Sequence, residues 1–367
     1  MAPTGFPLTR KSWKSSTEDV AVQEDTVVRF EAYNRRIYRI KAQVLPHLTG
    51  FVYLLLGDFP PTLIDTGSGE GRSSADILEG FDQIRTRFGE SFAPQDLERI
   101  LLTHAHVDHF GGAGALAGYL DAEIWLHPYD SRVVSAHDER ADVSNKEFEH
   151  FLTTAGVEPE RQGAIIREFG FTKGRTRSAP VARLLQDGDM FDGIRVHHTP
   201  GHSPGHLCFE VPPFLLVGDL ILSRTVTQIW PQSLSPGTGL ANHLASLEKL
   251  GRVATRLFHD GHQPIALPGH ESIITDVPGR IAAIRRNHER RLERVLTHIA
   301  TSAEPPTIDE ITKSLYIGSP LSRSLMALAD AAARVEYLQQ NARLAVANHE
   351  ALAAMSQPIY RYACIRK

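Results

Sequence analysis

Apolar residues in the first part of this chain fall in short runs separated by glycine and proline, and only later adopt a helical spacing. Thr26–Ala32, Arg36–Ala42, Phe51–Gly57 and Thr62–Asp65 have the β-branched and aromatic content of strands bounded by turn formers. Ser74–Phe88 changes period: Ile77, Leu78, Phe81, Ile84 and Phe88 recur as one face of a helix. A short buried strand, Leu97–Thr103, then runs straight into the segment HAHVDHFGG. A small-residue helix, Ala113–Tyr119, and a strand, Glu123–Leu126, follow. From Pro128 to about Thr176 the pattern is helical and heavily charged, as expected of an insertion near 128–176 that caps or connects. The β pattern returns in Val181–Leu185, Ile194–His198, Leu207–Val211 and Phe214–Val217, with Asp-Gly and Pro turns between them. Ala241–Leu257 reads as a helix, Pro264–Leu267 as a strand and Val277–Ile299 as a long helix. Pro305 and Pro306 mark a boundary before an Ala/Leu-rich helical end.

This order predicts an α+β fold in which two sheets pack together with helices outside. The expected division is a flexible polar tail at 1–25, a catalytic domain at 26–300 and a small C-terminal unit at 301–367. Composition adds little to this. The chain has 367 residues, 42% hydrophobic and 22% charged, and a net charge of -4, which gives no support for a polyanion-binding surface over the whole molecule. Its two cysteines, Cys208 and Cys364, make neither a disulfide framework nor a cysteine zinc site. The start lacks an apolar leader core, and no run approaches the length of a membrane span. The expectation is a cytoplasmic protein with no membrane partner.

Histidine stands out, with eighteen residues. Their placement matters more than their number. In His104-Ala-His106-Val-Asp108-His109 an apolar strand leads into the cluster. Alternate residues of an extended segment point the same way, so His104 and His106 can converge on one cation. Asp108 and His109 lie where the chain turns and can face a second position. His202 (in HHTPGHSPGH), Asp219 (in FLLVGDL) and His270 (in IALPGH) each follow an apolar strand, where rigid sites are built. Imidazole with carboxylate suits zinc, with iron or manganese as alternatives. His206, His262, His197 and His198 are expected to be structural.

The pattern HxHxDH, then PGHSPGH, GD and PGH, resembles the metallo-β-lactamase superfamily, nearest its glyoxalase II-like members. The upstream LIDTG resembles that superfamily's first motif. The likeness covers roughly residues 26–275 and implies a four-layer αββα sandwich holding two divalent metal ions. It implies that His104, His106 and His202 hold one metal and that Asp108, His109 and His270 hold the other. It further implies that Asp219 bridges both and that Asp65 supports the ligands by hydrogen bonds. The segment after Asp219, the helix near Arg285–Arg294 and the helical end resemble a branch with endoribonuclease-like and polyketide-thioesterase-like members. That branch carries a small winged-helix-like C-terminal unit. Departures from the pattern are informative. Histidine at 106, where flavodiiron proteins carry Glu, disfavours electron transfer. PGHES replaces the PGHGP common among the hydrolases, so Glu271 alters the pocket rim. No nuclease domain separates Asp219 from His270, and no counterpart of the glutathione-binding residues is visible.

The expected activity is hydrolysis of an ester-like bond, a thioester first, by a hydroxide shared between two metals, with Asp108 and Asp219 as catalytic carboxylates. Trp230 can wall a pocket for a small-molecule substrate, or it can pack in the core. One alternative is a metal-dependent endoribonuclease gripping RNA with the arginines of the helix Gly279–Thr297, which read more simply as a solvated face. Others are a mononuclear iron persulfide dioxygenase and an inactive binding module. A homo-oligomer is compatible with the sequence.

Overall fold

The structure is a computed structural model. It describes residues 25–116, 120–173, 176–318, 324–352, 354 and 356–365, so the N-terminal tail, apart from Asp25, lies outside the described residues. An antiparallel meander of β1 (Val27–Ala32), β2 (Arg35–Leu45), β3 (Leu48–Gly57) and β4 (Phe59–Ile64) opens the fold. Helix α1 (Ser73–Phe88) crosses over to β5 (Arg99–Leu101), which is parallel to β4. Short helices α2 (Val107–Phe110) and α3 (Gly112–Leu116) lead to β6 (Glu123–Leu126). The insertion forms α4 (Pro128–Ser135), α5 (His137–Thr154) and α6 (Pro159–Lys173), and β7 (Arg183–Leu184) then completes a seven-stranded sheet.

The second sheet takes β8 (Met190–Phe191), β9 (Ile194–His198), β10 (Leu207–Val211) and β11 (Phe214–Gly218). Helix α7 (Leu240–His259) returns the chain to β12 (Ile265–Pro268), parallel to β11, giving the order β12-β11-β10-β9-β8. The long α8 (Val277–Thr301) follows, then α9 (Ile308–Leu315), α10 (Leu325–Gln340), β13 (Leu344–Val346), α11 (His349–Leu352) and β14 (Tyr362–Cys364).

Alternation along the strands creates the layers. On β3, Phe51, Tyr53 and Leu55 face the other sheet, while Val52, Leu54 and Leu56 face α1. On β11, Phe214 and Leu216 join the inter-sheet core, while Leu215 and Val217 pack on Leu247, Leu250 and Ile284 of α7 and α8. The result is the four-layer αββα sandwich. A further core joins Phe148 and Phe151 of α5 and Ile165 of α6 to Val295 and Ile299 of α8. The same core includes Ile311, Leu328, Val335 and Tyr362 of the C-terminal elements. Among the described residues no helix is long and apolar enough to cross a membrane.

Some expectations change. The strand expected over Leu97–Thr103 shortens to β5 because the Thr103 N–H leaves the ladder and donates to Asp65 Oδ1 at 2.8 Å. Of Val181–Leu185, strand β7 spans only Arg183 and Leu184, as an exposed edge, with the Ala182 and Leu185 N–H groups donating to β6 on either side. The helix expected over Ala113–Tyr119 is described only as far as Leu116. The C-terminal end is not wholly helical: β13 and β14 form an antiparallel pair.

Candidate metal centre

Five strand ends deliver the site. Asp65 follows β4, His104 and His106 follow β5, His202 follows β9, Asp219 follows β11 and His270 follows β12. Parallel pairing of β4 with β5 and of β11 with β12 puts these ends at one edge of the sandwich. Two glycines permit the close approach. A Cβ at Gly269 would lie 2.6 Å from His109 Cε1 and 2.7 Å from Asp219 Oδ1. One at Gly112 would lie 2.0 Å from the Thr66 carbonyl, against which the turn after HxHxDH folds.

All seven side chains singled out as metal donors converge. Ligand atoms of His104, His106 and His202 lie within 4.8 Å of one another, as do those of Asp108, His109 and His270, and those of His104, His109 and Asp219. His104 Nε2 lies 3.0 Å from His106 Nδ1. His270 Nε2 is 3.2 Å from Asp108 Oδ2 and 3.7 Å from Asp219 Oδ2, and His202 Nε2 approaches the same Asp219 oxygen at 3.7 Å. His109 Nε2 lies 3.6 Å from the other oxygen, Asp219 Oδ1. Asp219 therefore stands between the two triads.

The surroundings set which ring nitrogen carries each proton. The Thr103 hydroxyl donates to Asp65 Oδ2 at 2.8 Å, so it accepts the Nδ1–H of His104 at 3.0 Å. His109 donates its Nδ1–H to Asp65 Oδ2 at 2.8 Å. His202 donates Nδ1–H to the Gln228 carbonyl and His270 donates to the Thr49 carbonyl, each at 2.7 Å. Four imidazoles thereby turn Nε2 inward, the usual arrangement behind metal-binding histidines. Asp65 serves two of them at once. It is 2% exposed and sits at φ 61°, a left-handed backbone position uncommon for a residue with a Cβ.

Among the inward atoms, His109 Nε2, His202 Nε2 and Asp219 Oδ1 are buried with no hydrogen-bond partner among the described residues. Buried acceptors without partners are costly and rare. Divalent cations between the triads would satisfy all three, so the donors present fit such ions. Charge agrees. Burial, reinforced by neighbouring imidazoles, holds His104 well below the usual histidine range and pushes His106 down to about 3, keeping both neutral. Burial works to raise the Asp219 carboxyl, but His270 and His109 beside it overcome this and hold it well below its ordinary value. His109 and His270 go the other way: against their burial, Asp219 beside them raises His109 well above the usual histidine range and His270 to about 9, so these two rings hold protons that a bound cation would displace.

The other histidines separate cleanly. His206 Nε2 accepts the Asp219 N–H at 3.1 Å while its Nδ1 pairs with the Thr199 hydroxyl, so it braces a donor from behind. His262 meets Tyr33 at the exposed surface, His197 pairs with Glu210, and His198 stacks on His127. Glu271, at φ 66°, accepts hydrogen bonds from the N–H groups of Arg224 and Thr225 and from the hydroxyls of Ser223 and Thr225. The Arg280 guanidinium takes the Leu222 and Thr225 carbonyls of the same loop. That loop continues to Thr227 and Gln228, which hold His202. The glutamate of PGHES thus anchors a loop.

Sequence reasoning missed Asp130. It is 2% exposed in the first turn of α4 and accepts from the Ala105 N–H, the Ser203 hydroxyl and the Gly205 N–H at 2.8–3.0 Å. One carboxylate thereby ties the His104–His106 segment to the His202 turn. Its only sequence signal is an acid early in a helix, which is commonplace.

The family model of the metallo-beta-lactamase superfamily matches residues 45–270, a span that includes all seven converging side chains. The chain is 24% identical over 302 residues to the probable metallo-hydrolase YqjP of Bacillus subtilis, covering 78% of this chain and 87% of that one. It is 26% identical over 242 residues to an atrochrysone carboxyl ACP thioesterase of Aspergillus terreus, covering 65% of this chain and 54% of that protein. A metallo-beta-lactamase family protein from Thermus thermophilus superposes with a TM-score of 0.71 at 25% identity, covering 90% of this chain and 98% of that one. Fold, donor geometry and these likenesses agree that the chain is a metal-dependent hydrolase belonging to the metallo-beta-lactamase superfamily.

Proposed function

We propose that the protein is a thioesterase of the cytoplasm, holding two zinc ions and acting on a small-molecule acyl thioester. The observation that carries the substrate is the lining of the cleft that opens onto the donors. It has a volume of about 1030 Å³ and walls that include Leu45, Leu48, Phe51, Val226, Trp230 and Met326. Such a surface suits an uncharged thioester and its thiol-bearing arm better than a polyanion. Three arginines of α8 that an RNA grip would use are otherwise engaged: Arg280 with loop carbonyls, Arg291 with Asp330 and Arg294 with the Leu315 carbonyl. The likeness to a protein named a thioesterase points the same way.

His104, His106 and His202 would hold one ion, Asp108, His109 and His270 the other, and Asp219 both. When bound, such ions acidify water and polarise a carbonyl. The protein's part is to place and deprotonate. Asp108 and Asp219 border the cleft, where their carboxylates orient the attacking water and accept its proton. The water oxygen bonds to the thioester carbon, the C–S bond breaks, and the departing thiolate takes up the proton.

The test is a screen of thioesters, lactones, β-lactams and short RNAs with zinc-, iron- and manganese-loaded protein, alongside metal analysis. Thioester turnover that is abolished by chelation, with two metals per chain, is the expected result. RNA cleavage without thioester turnover, oxygen consumption with a single iron, or activity that survives complete metal removal would overturn it.

A further inference from the structure

A second cavity reaches the donors from the side of the insertion. It has a volume of about 230 Å³ and lies between α4, α5 and the loop through Leu234 and Pro236. His106, Val107, His202 and Trp230 line both this chamber and the large cleft. The donors therefore stand where two cavities meet. A thioester carbonyl placed there has two substituents, each needing its own space.

We infer that the chamber beneath α5 receives the acyl group, as an uncharged apolar chain, while the larger cleft receives the thiol-bearing arm. This rests on the thioesterase reading. The chamber's walls include Val107, Val133, Ala141, Phe148 and Leu234. Asp130 is committed to three donors, and Arg140 lies 4.0 Å from Glu147 on the same helix. With the acid bonded and the opposite charges of Arg140 and Glu147 offsetting each other, these walls favour an apolar acyl terminus over a charged one. The cleft differs, because Lys41, His47 and Arg224 lie among its walls and suit a polar arm.

The chamber is also held in shape. Phe148 is buried in the core shared by the insertion and the C-terminal helices, and its ring centroid lies 5.7 Å from that of Trp230. The insertion and the C-terminal unit thus acquire a role: together they build the acyl wall beside the donors.

The experiment fills the chamber from α5. Ala141→Phe and Ser144→Phe are separate variants at half-buried positions one helical turn apart. Leu48→Trp fills the cleft instead. With decanoyl and acetyl thioesters of one small thiol, the ratio of kcat/KM values, decanoyl over acetyl, should fall about tenfold or more in both chamber variants. In Leu48→Trp it should stay near the parent ratio. Decanoate binding, followed by titration calorimetry, should weaken in the chamber variants, and thermal melts report folding. An unchanged ratio in both chamber variants, or decanoate binding unaffected by them, overturns the inference while thioesterase activity stands. If no thioester is hydrolysed but decanoate binding is lost in the chamber variants, the chamber assignment holds and the thioesterase reading falls.

Discussion

Two groups of buried histidines lie within this protein, built to opposite specifications. At the strand ends, His104, His109, His202 and His270 each give Nδ1–H to an oxygen behind them, turning Nε2 toward carboxylates. Between α7, α8 and α10, His243 and His288 stack edge to face at 5.2 Å. There both nitrogens of His243 and Nε2 of His288 lack partners among the described residues, and the nearest ion is the Arg334 guanidinium, 3.4 Å from His288 Nδ1. Asp330 is close, but its oxygens go to Arg334, Arg291 and the Tyr316 hydroxyl. Burial and histidine content do not make a cation site. Oriented lone pairs, acids among them and oxygens behind them do.

The sharpest way to break this contrast is at the acid between the triads. Asp219→Ala removes the group near His109, His202 and His270 together. The expected loss of hydrolysis is roughly a thousandfold or more, with metal content falling below two per chain. Elemental analysis beside kinetics tests it, and two retained metals with near-parent activity would remove Asp219 from its place between the sites. Next in size is Asp65→Asn. This acid orients His109 directly and His104 through Thr103, so metal affinity should fall about 10- to 100-fold, measured by competition with a chelator. An unchanged affinity would mean that orientation behind the rings contributes little, and the contrast would lose its basis.

What the sequence made legible follows the same division. HxHxDH is contiguous, and its period-2 spacing after an apolar strand already implies convergence. The unbroken, strand-length apolar run Phe51–Leu56 likewise reads as a strand, and the structure buries it on both faces. His243 and His288 lie on different helices and meet only through packing of α7 on α8, which no local pattern encodes. Asp130 and Thr103 were invisible for a related reason: their roles depend on where a carboxylate or hydroxyl ends up after folding. The short β8, β13 and β14 lack the run length that marks strands, and β13 pairs with β14 across a long connection.

The helix-bound pair makes the smaller, opposite predictions. Burial, with Arg334 and Arg291 nearby, pushes His288 down to about 3, and burial with His288 holds His243 well below the ordinary range. Both folded values lie below the unfolded value, so the unfolded chain binds more protons between them. Stability is then complete above about pH 6.5 and declines as pH falls toward 3, by about 1.4 kcal/mol per pH unit for each histidine. Denaturant melts of the metal-free protein from pH 7.5 to 5 test this, and His288→Gln should flatten the slope. An unaltered slope in that variant would assign the acid sensitivity elsewhere.

The smallest effect separates the two groups by sign. His243 is wholly buried and offers two nitrogens with no described partner, so His243→Leu removes unpaired polar atoms from a buried position beside His288. Stability at neutral pH should rise by about 1 kcal/mol. The same exchange at His104 should weaken metal binding instead. His243 does abut the metal site, since a Cβ at Gly201 would lie 2.5 Å from its backbone N and Cα. That contact is through the main chain and Cβ, both of which the exchange leaves in place. Metal affinity of His243→Leu should therefore match the parent while its melting temperature rises. A drop in metal affinity would show that the second group of histidines supports the first after all.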